Sequence, residues 1–153
     1  MFLSTVVAED LVLNELYVLV VDPSLDSREL LAFVLEQQGA EVVTATCLDE
    51  AIALVGQRVP DVLLSEIALP EQDGYALMRQ VSALVGPHLS PIVAIATTGY
   101  AELEARLLSL EAGFQAHVAK PIDFKALTAL LLEMKSAMRL SSIEEVAGRV
   151  PDL

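Results

Sequence analysis

Short apolar runs alternate with segments of helical periodicity along most of the chain. Most of these runs are rich in Val and Ile with little polar alternation, as expected of strands covered on both faces. The runs are Tyr17 to Val21, Glu41 to Thr46, Val62 to Ile67, Ile92 to Thr97 and Ala116 to Ala119. Strands that alternate with helices favour a parallel sheet joined by helical crossovers. The pattern therefore predicts an α/β fold with a doubly wound, five-stranded parallel sheet in (βα)5 order.

A helical segment follows each predicted strand. The first, SLDSRELLAFVLEQQG, ends at Gly39, and its apolar stripe is predicted to consist of Leu30, Leu31, Val34 and Leu35. The second and third are DEAIALVGQ and DGYALMRQVSALVG. The fourth, AELEARLLSLEAG, ends at Gly113, and Asp123 is predicted to cap the fifth, DFKALTALLLEMKSAM.

The length of 153 residues suits one domain with short flanking segments, and an apolar content of 54% allows a sizeable core. We expect an N-terminal extension at residues 1–15, a domain at 16–139 and a C-terminal tail at 140–153. In the tail, Ser142 and Glu145 have capping-box spacing, which predicts one short helical turn.

Composition excludes several classes of function. No apolar run approaches the roughly 18 residues of a membrane span, and the start lacks a basic leader, so we expect a cytoplasmic protein. A formal charge of −13 disfavours binding to nucleic acid or to anionic membranes. Cys47 is the only cysteine and the two histidines are far apart, which argues against a disulfide or a zinc site. We interpret Cys47 as a packing residue.

Polar residues finish four of the predicted strands. They are Asp22, Glu66, Thr98 and Lys120. Right-handed crossovers bring the carboxyl ends of parallel strands to one edge of the sheet, where open α/β folds form their sites. These four side chains are therefore expected to meet.

The motifs around these positions resemble those of a known family. They are LVVD at 19–22, PDVLLSEIALP at 60–70, DGY at 73–75, ATTGY at 96–100 and AHVAKP at 116–121. In this order they resemble the receiver domains of two-component response regulators, especially the receivers fused to hybrid histidine kinases. The resemblance covers Tyr17 to Met138 and implies a flavodoxin-like receiver fold.

The resemblance also implies a chemistry. In the family, an aspartate ending the third strand accepts a phosphoryl group, and two acidic residues after the first strand hold Mg²⁺. By position, Asp22 matches the first of these acids, Thr98 the switch hydroxyl and Lys120 the lysine that contacts the phosphoryl oxygens. The family pattern further implies a cis bond before Pro121, which aims the lysine. His117 stands where many members have a Tyr or Phe that changes rotamer.

Two positions depart from the family pattern. Pro23 replaces the second acidic residue, so a direct Mg²⁺ ligand is missing. Glu66 stands at the phosphoacceptor position, while Ser65, one step earlier, is expected to point away from the pocket. Asp22, Glu66 and Lys120 leave one net negative charge, which makes Mg²⁺ optional. We expect Glu66 to hydrogen-bond Lys120 or Thr98 in a metal-free pocket and to imitate a phosphoryl group in part.

Several assignments have alternatives. Counting forward from Pro91 selects Ala96 rather than Thr98 as the switch position, but the GYA that follows Thr98 favours the latter. His117 is equally well interpreted as a half-buried strand residue, and Tyr100 as a packing residue. Asp22 and Lys120 can also form a purely structural ion pair.

Three functions fit the sequence. The first is a non-enzymatic pseudo-receiver that docks on a histidine kinase or a downstream signalling protein through its fourth helix, fifth strand and fifth helix. A homodimer is compatible with this function. The second is a conventional phosphorelay receiver that accepts a phosphoryl group from a histidine kinase. The third is a small-ligand binder, against which the absence of a Gly-rich phosphate loop counts.

Overall fold

The computed structural model describes residues 12–70, 73–86, 92–99 and 110–149, with the side chains described up to residue 137. Five strands form one parallel sheet in the order β2-β1-β3-β4-β5. The strands are β1 (Tyr17–Val21), β2 (Glu41–Ala45), β3 (Val62–Glu66), β4 (Val93–Thr98) and β5 (Ala116–Ala119). The predicted α/β fold with a five-stranded parallel sheet is thereby confirmed, and each strand lies within one residue of its predicted bounds.

Within the described residues, four long helices follow β1, β2, β3 and β5, where the periodicity placed them. They are α1 (Leu25–Gln37), α2 (Leu48–Gln57), α3 (Gly74–Val85) and α4 (Phe124–Arg149). Gly39 has φ 99° just after α1, and Gly113 has φ 112° after the helical residues 110–112, so both end a helix as predicted. The remainder of the predicted fourth helix lies outside the described residues.

Two details of the helix prediction are wrong. Leu31 and Leu35 on α1 are buried, but the side chain of Leu30 is 52% exposed and does not belong to the inward stripe. The apolar stripe of α1 is narrower than predicted because Leu30 lies outside the arc that faces the sheet. α4 continues without a break to Arg149, so no separate short turn follows residue 139. The helix-forming residues of 139–149 extend α4 instead of starting a new turn.

The core that positions the site lies on one face of the sheet. Alternate residues of the central strands point to this face, as the parallel register requires. They pack with buried residues of α2 and α3, and the strand members include Leu19, Val21, Leu63, Ala94 and Ala96. The close packing holds the central strand ends in fixed positions at the carboxyl edge.

The start of the described chain is attached to the end of α1. Leu13 is fully buried, and its N–H donates to the carbonyl of Gln38 at 2.8 Å. Residues 1–11 of the predicted N-terminal extension lie outside the described residues. Among the described helices, none is long and apolar enough to span a membrane.

The chain divides into two compact units, Met1–Ile122 and Asp123–Leu153. The second unit contains α4, and Asp123 caps it as predicted: its Oδ1 accepts hydrogen bonds from the N–H groups of Lys125 at 3.0 Å and Ala126 at 3.2 Å. The proposed division at residues 15 and 140 stays a prediction.

Candidate functional site

Three of the four predicted site residues meet at the carboxyl edge of the sheet. Asp22 follows β1, Glu66 ends β3 and Lys120 follows β5. The Nζ atom of Lys120 lies 2.8 Å from Oδ2 of Asp22 and 2.7 Å from Oε2 of Glu66. The expected contact between Glu66 and Lys120 is therefore present. The Lys120–Pro121 bond is cis, as the family pattern implies.

The three side chains are largely removed from water. The carboxylate side chains are 1% exposed at Asp22 and 8% exposed at Glu66, whereas that of Lys120 is 23% exposed. Two buried carboxylates sharing one ammonium form a charge-assisted network in a medium of low dielectric constant. Removal of the ammonium would leave two like charges facing each other.

A backbone N–H and a guanidinium also donate hydrogen bonds to Asp22. Its Oδ1 accepts a hydrogen bond from the N–H of Ser24 at 2.9 Å, and its carbonyl accepts one from Nη1 of Arg28 at 2.9 Å. Ser24 is the N-cap of α1, and its side chain accepts a hydrogen bond from the N–H of Ser27 at 3.3 Å. The start of α1 is thereby tied to the first acidic position.

Glu66 is held in a similar way. Its Oε1 accepts a hydrogen bond from the N–H of Ala68 at 3.1 Å, while Oε2 contacts Lys120. Its carbonyl accepts a hydrogen bond from the hydroxyl of Ser65 at 3.0 Å. Both carboxylate oxygens of Glu66 are thus engaged, which fixes the orientation of the side chain.

Gly74 supports Glu66 from the loop side. Its N–H donates to the carbonyl of Ile67 at 2.7 Å. A Cβ atom added at Gly74 would lie 2.9 Å from the carbonyl oxygen of Glu66 and 3.0 Å from Cα of Ile67, distances too short for any other residue type without a shift. The DG pair of the DGY motif therefore has two functions, since Asp73 caps α3 through the N–H of Ala76 at 2.9 Å.

The electrostatics of the site favour a charged lysine. Burial by itself lowers the pKa of Lys120, but hydrogen bonds and Coulomb attraction from Asp22 and Glu66 outweigh burial, so the pKa is raised above its ordinary value of 10.5. Lys120 is therefore an ammonium at neutral pH and cannot act as a general base there.

Strand register adds a residue that sequence analysis overlooked. Glu66 pairs with Thr97 across β3 and β4, and paired residues of parallel strands lie on the same face. Both Thr97 and Thr98 are buried, at 1% and 0% exposed. Thr98, the predicted switch hydroxyl, ends β4 one position further on, and Ala96, the alternative, pairs with Ser65. Thr97 is accordingly a second hydroxyl candidate, which the register identifies and the motif does not.

The other predicted residues lie away from the ion pairs or outside the described chain. His117 lies in β5 opposite Ala96 and is partly buried, and its switching role stays a prediction. Tyr100 is outside the described residues. Cys47 precedes α2 and its Sγ donates to Oε1 of Glu50 at 3.7 Å. The hydroxyl of Thr46 donates a hydrogen bond to the Glu50 carboxylate. This hydrogen bond is the main reason that the pKa of Glu50 is lowered.

The site does not suit a divalent metal as built. Pro23 offers no ligand, and the Lys120 ammonium already occupies the space between the two carboxylates. No cluster of three His, Cys, Asp or Glu side chains with metal-binding geometry occurs within the described residues. Mg²⁺ prefers an octahedral shell of oxygen ligands, and the two carboxylates that could supply such ligands already share the ammonium.

Comparisons with known proteins agree with the motifs. Residues 18–132 match the family model of the response regulator receiver domain. A 14.6 kDa protein of the sodA1 3′ region of Leptolyngbya boryana is 40% identical over 111 residues, covering 72% of this chain and 83% of that protein. The phosphate regulon transcriptional regulatory protein PhoB of Escherichia coli K12 is 30% identical over 129 residues, covering 84% of this chain and 56% of PhoB. The chain therefore spans little more than half the length of PhoB.

Solved structures share the fold. A CheY-like response regulator receiver domain protein from Methanospirillum hungatei JF-1 superposes with a TM-score of 0.69 at 29% identity, covering 84% of this chain and 97% of that one. A two-component response regulator from Clostridium difficile gives a TM-score of 0.75 at 22% identity, covering 81% of this chain and 98% of that one. The likeness to the second structure concerns the fold alone.

Proposed function

The chain belongs to the response regulator receiver domain family, and from that premise we propose that it is a pseudo-receiver that signals through protein contacts without phosphorylation of residue 66. In this proposal Glu66 replaces the phosphoacceptor, and Lys120 pairs with both carboxylates and leaves one net negative charge in the pocket. The module is not an enzyme and needs no metal. Its partner is a histidine kinase or a downstream signalling protein.

The observation that carries the proposal is the contact of one ammonium with both carboxylates. Lys120 lies within 2.8 Å of Asp22 and Glu66, and Oε1 of Glu66 also accepts the Ala68 N–H. A carboxylate attacks a phosphorus atom through an oxygen lone pair, and hydrogen bonds that stabilise the charged oxygen reduce its nucleophilicity. The pocket thus holds both carboxylate oxygens of Glu66 in contacts that oppose their use as an attacking group.

The same contact supports partial imitation of the phosphorylated state. In the family the lysine contacts phosphoryl oxygens, and here its Nζ contacts Oε2 of Glu66 at 2.7 Å. Glutamate is one methylene longer than aspartate, so its carboxylate reaches further towards the lysine. The imitation is limited because a phosphoryl group carries about two negative charges on three oxygens and a carboxylate only one on two.

A conventional phosphorelay receiver is the second candidate. It is favoured by the retained acidic side chain at residue 66 and by the family match over residues 18–132. In this candidate Asp22 and Glu66 would hold Mg²⁺ without a side-chain ligand at Pro23, and the metal would neutralise charge as the phosphoryl group is transferred.

Repair of the two departures tests the proposal. Glu66→Asp restores an acceptor of the family type, and Pro23→Asp restores an acidic residue at an exposed position beside Asp22. Each single variant, incubated with acetyl phosphate and Mg²⁺, should incorporate little label, whereas the double variant should be phosphorylated at residue 66 in a Mg²⁺-dependent way. Metal and acceptor act as one unit, so their effects are not additive.

Intact mass and peptide mapping give the extent and position of labelling. Equal labelling of Glu66→Asp and the double variant would show that Pro23 does not limit the chemistry. No labelling of the double variant would show that the pocket differs from a receiver site by more than these two residues. Either result contradicts the proposal that the natural residues Pro23 and Glu66 together prevent phosphorylation.

A further inference from the structure

The outer edge of β2 offers unused backbone hydrogen-bonding groups. Among the described strands, β2 is the last on its side of the sheet and pairs with β1 alone. The N–H of Glu41 donates to Leu16 and the carbonyl of Ala45 accepts from Asp22, so residues 41, 43 and 45 direct their backbone groups towards β1. Because successive residues of a strand alternate in direction, Val42 and Thr44 direct theirs outwards. Among the described residues no backbone bond satisfies these outward groups.

A groove lies beside this edge. It has a volume of about 480 Å³ and is formed by α1 and the same two residues of β2, Val42 and Thr44. Its apolar wall includes Phe33 and Leu25, whose side chains are 62% and 55% exposed. Large apolar side chains at that exposure, next to open strand groups, are a surface on which another chain can pair.

The charges at the groove select the occupant. Glu29 and Glu36 line it, are exposed, and form no ion pair with the described part of the chain. They lie two helical turns apart, about 10 Å along the axis of α1. Arg28 also lines the groove, but its guanidinium bonds the carbonyl of Asp22. A second copy of this chain, with a net charge of −13, would be repelled at this edge.

We propose that the groove between α1 and the open edge of β2 is a docking site for an extended, basic and apolar segment of a partner protein, which adds to the sheet as a strand. The segment exchanges backbone hydrogen bonds with Val42 and Thr44, places apolar side chains against Phe33, and places Lys or Arg near Glu29 and Glu36. Strand addition of this kind obtains affinity from the main chain and specificity from alternate side chains. The inference names a partner chemistry for the proposed function and uses none of the ion-paired residues.

Binding of a model strand to the full chain tests the inference. The probe is the peptide acetyl-(Lys-Thr-Val-Thr)2-amide, whose Lys and Val side chains lie on the same face of a strand. The control, acetyl-(Glu-Thr-Val-Thr)2-amide, has the same pattern and the opposite charge. Saturation with the first peptide should slow hydrogen exchange at the amides of Val42 and Thr44 at least tenfold. The amides of Glu41 and Val43, which face β1, should change little, and the acidic peptide should have no effect.

Charge variants distinguish binding of the basic peptide in the groove from its general attraction to an acidic protein. Glu29→Lys with Glu36→Lys should weaken binding of the basic peptide at least tenfold, whereas Glu111→Lys with Glu133→Lys, a change of equal charge at exposed positions elsewhere, should weaken it less than threefold. Absence of binding, binding without protection of residues 42 and 44, or equal loss in the two double variants would overturn the inference. If the amides of Val42 and Thr44 exchange slowly without peptide and the protein is a dimer, the edge binds a second copy of the chain and the inference is wrong. Phosphodonor labelling does not involve this edge, so the two proposals fail separately.

Discussion

At the scale of single residues, the Glu66 side chain is one methylene longer than that of aspartate, and its carboxylate contacts Lys120. Glu66 reaches Lys120 at 2.7 Å with one oxygen and the N–H of Ala68 at 3.1 Å with the other. The sequence identified this position, because LLSEIALP places Glu66 at the end of a strand and before a turn. It also raised an ion pair between Asp22 and Lys120 as an alternative, but it could not reveal that one ammonium contacts both carboxylates at once, since a motif carries no distances.

Removal of the shared ammonium should destabilise the protein. Lys120→Met leaves two buried carboxylates without their counter-charge, and we expect the free energy of unfolding to fall by about 3–5 kcal/mol. Lys125→Met, at an exposed position of α4, is the control and should change it by less than about 0.5 kcal/mol. Urea denaturation of the three proteins measures these values, and an unchanged midpoint for Lys120→Met would refute the pairing.

The pH dependence of the pairing lies in the alkaline range. The pKa of Lys120 is raised above 10.5 in the folded state, so its contribution to stability is fully present below about pH 10.5. The contribution is lost as the pH rises through the raised folded-state pKa. We expect the difference in unfolding free energy between the natural protein and Lys120→Met to be constant from pH 7 to 10 and to narrow above about pH 10.5. A difference that narrows below pH 9 would contradict this assignment.

At the scale of elements, the strand ends and their helix caps build the site together. The alternation of apolar runs and helical segments predicted the strands within a residue, because buried parallel strands have few polar positions. The pattern could not fix strand register. Register pairs Glu66 with Thr97, a second hydroxyl candidate that the motif did not indicate, and the switch role of Thr98 stays a prediction.

The junction between β3 and α3 depends on a missing side chain. Gly74→Ala would place Cβ 2.9 Å from the carbonyl oxygen of Glu66, so we expect a loss of about 1–3 kcal/mol in unfolding free energy. Gly56→Ala is the matched control, because Gly56 lies in α2 with open space around it and alanine should stabilise that helix by up to about 1 kcal/mol. Thermal or urea unfolding gives both values. Stabilisation by Gly74→Ala would contradict the close approach.

At the scale of the whole molecule, the receiver fold is intact, while its pocket departs from the family pattern at Pro23 and Glu66. The parallel sheet and the site at its carboxyl edge follow from general rules for α/β folds, which is why sequence patterns predicted both. The open edge of β2 and its groove escaped sequence analysis because exposed residues such as Phe33 carry no periodic signal. The proposed docking face around the predicted fourth helix includes residues 101–109, outside the described chain, and stays a prediction.

In the proposed function, Glu66 stays ion-paired with Lys120 and accepts no phosphoryl group. The most direct measurement is the initial rate at which acetyl phosphate and Mg²⁺ label residue 66 in the unmodified chain, followed by intact mass and peptide mapping beside the Pro23→Asp, Glu66→Asp double variant. We predict no label at Glu66 in the unmodified chain and Mg²⁺-dependent label at residue 66 in the double variant. Labelling of Glu66 in the unmodified chain as fast as in the double variant would contradict the account and identify a working phosphoreceiver.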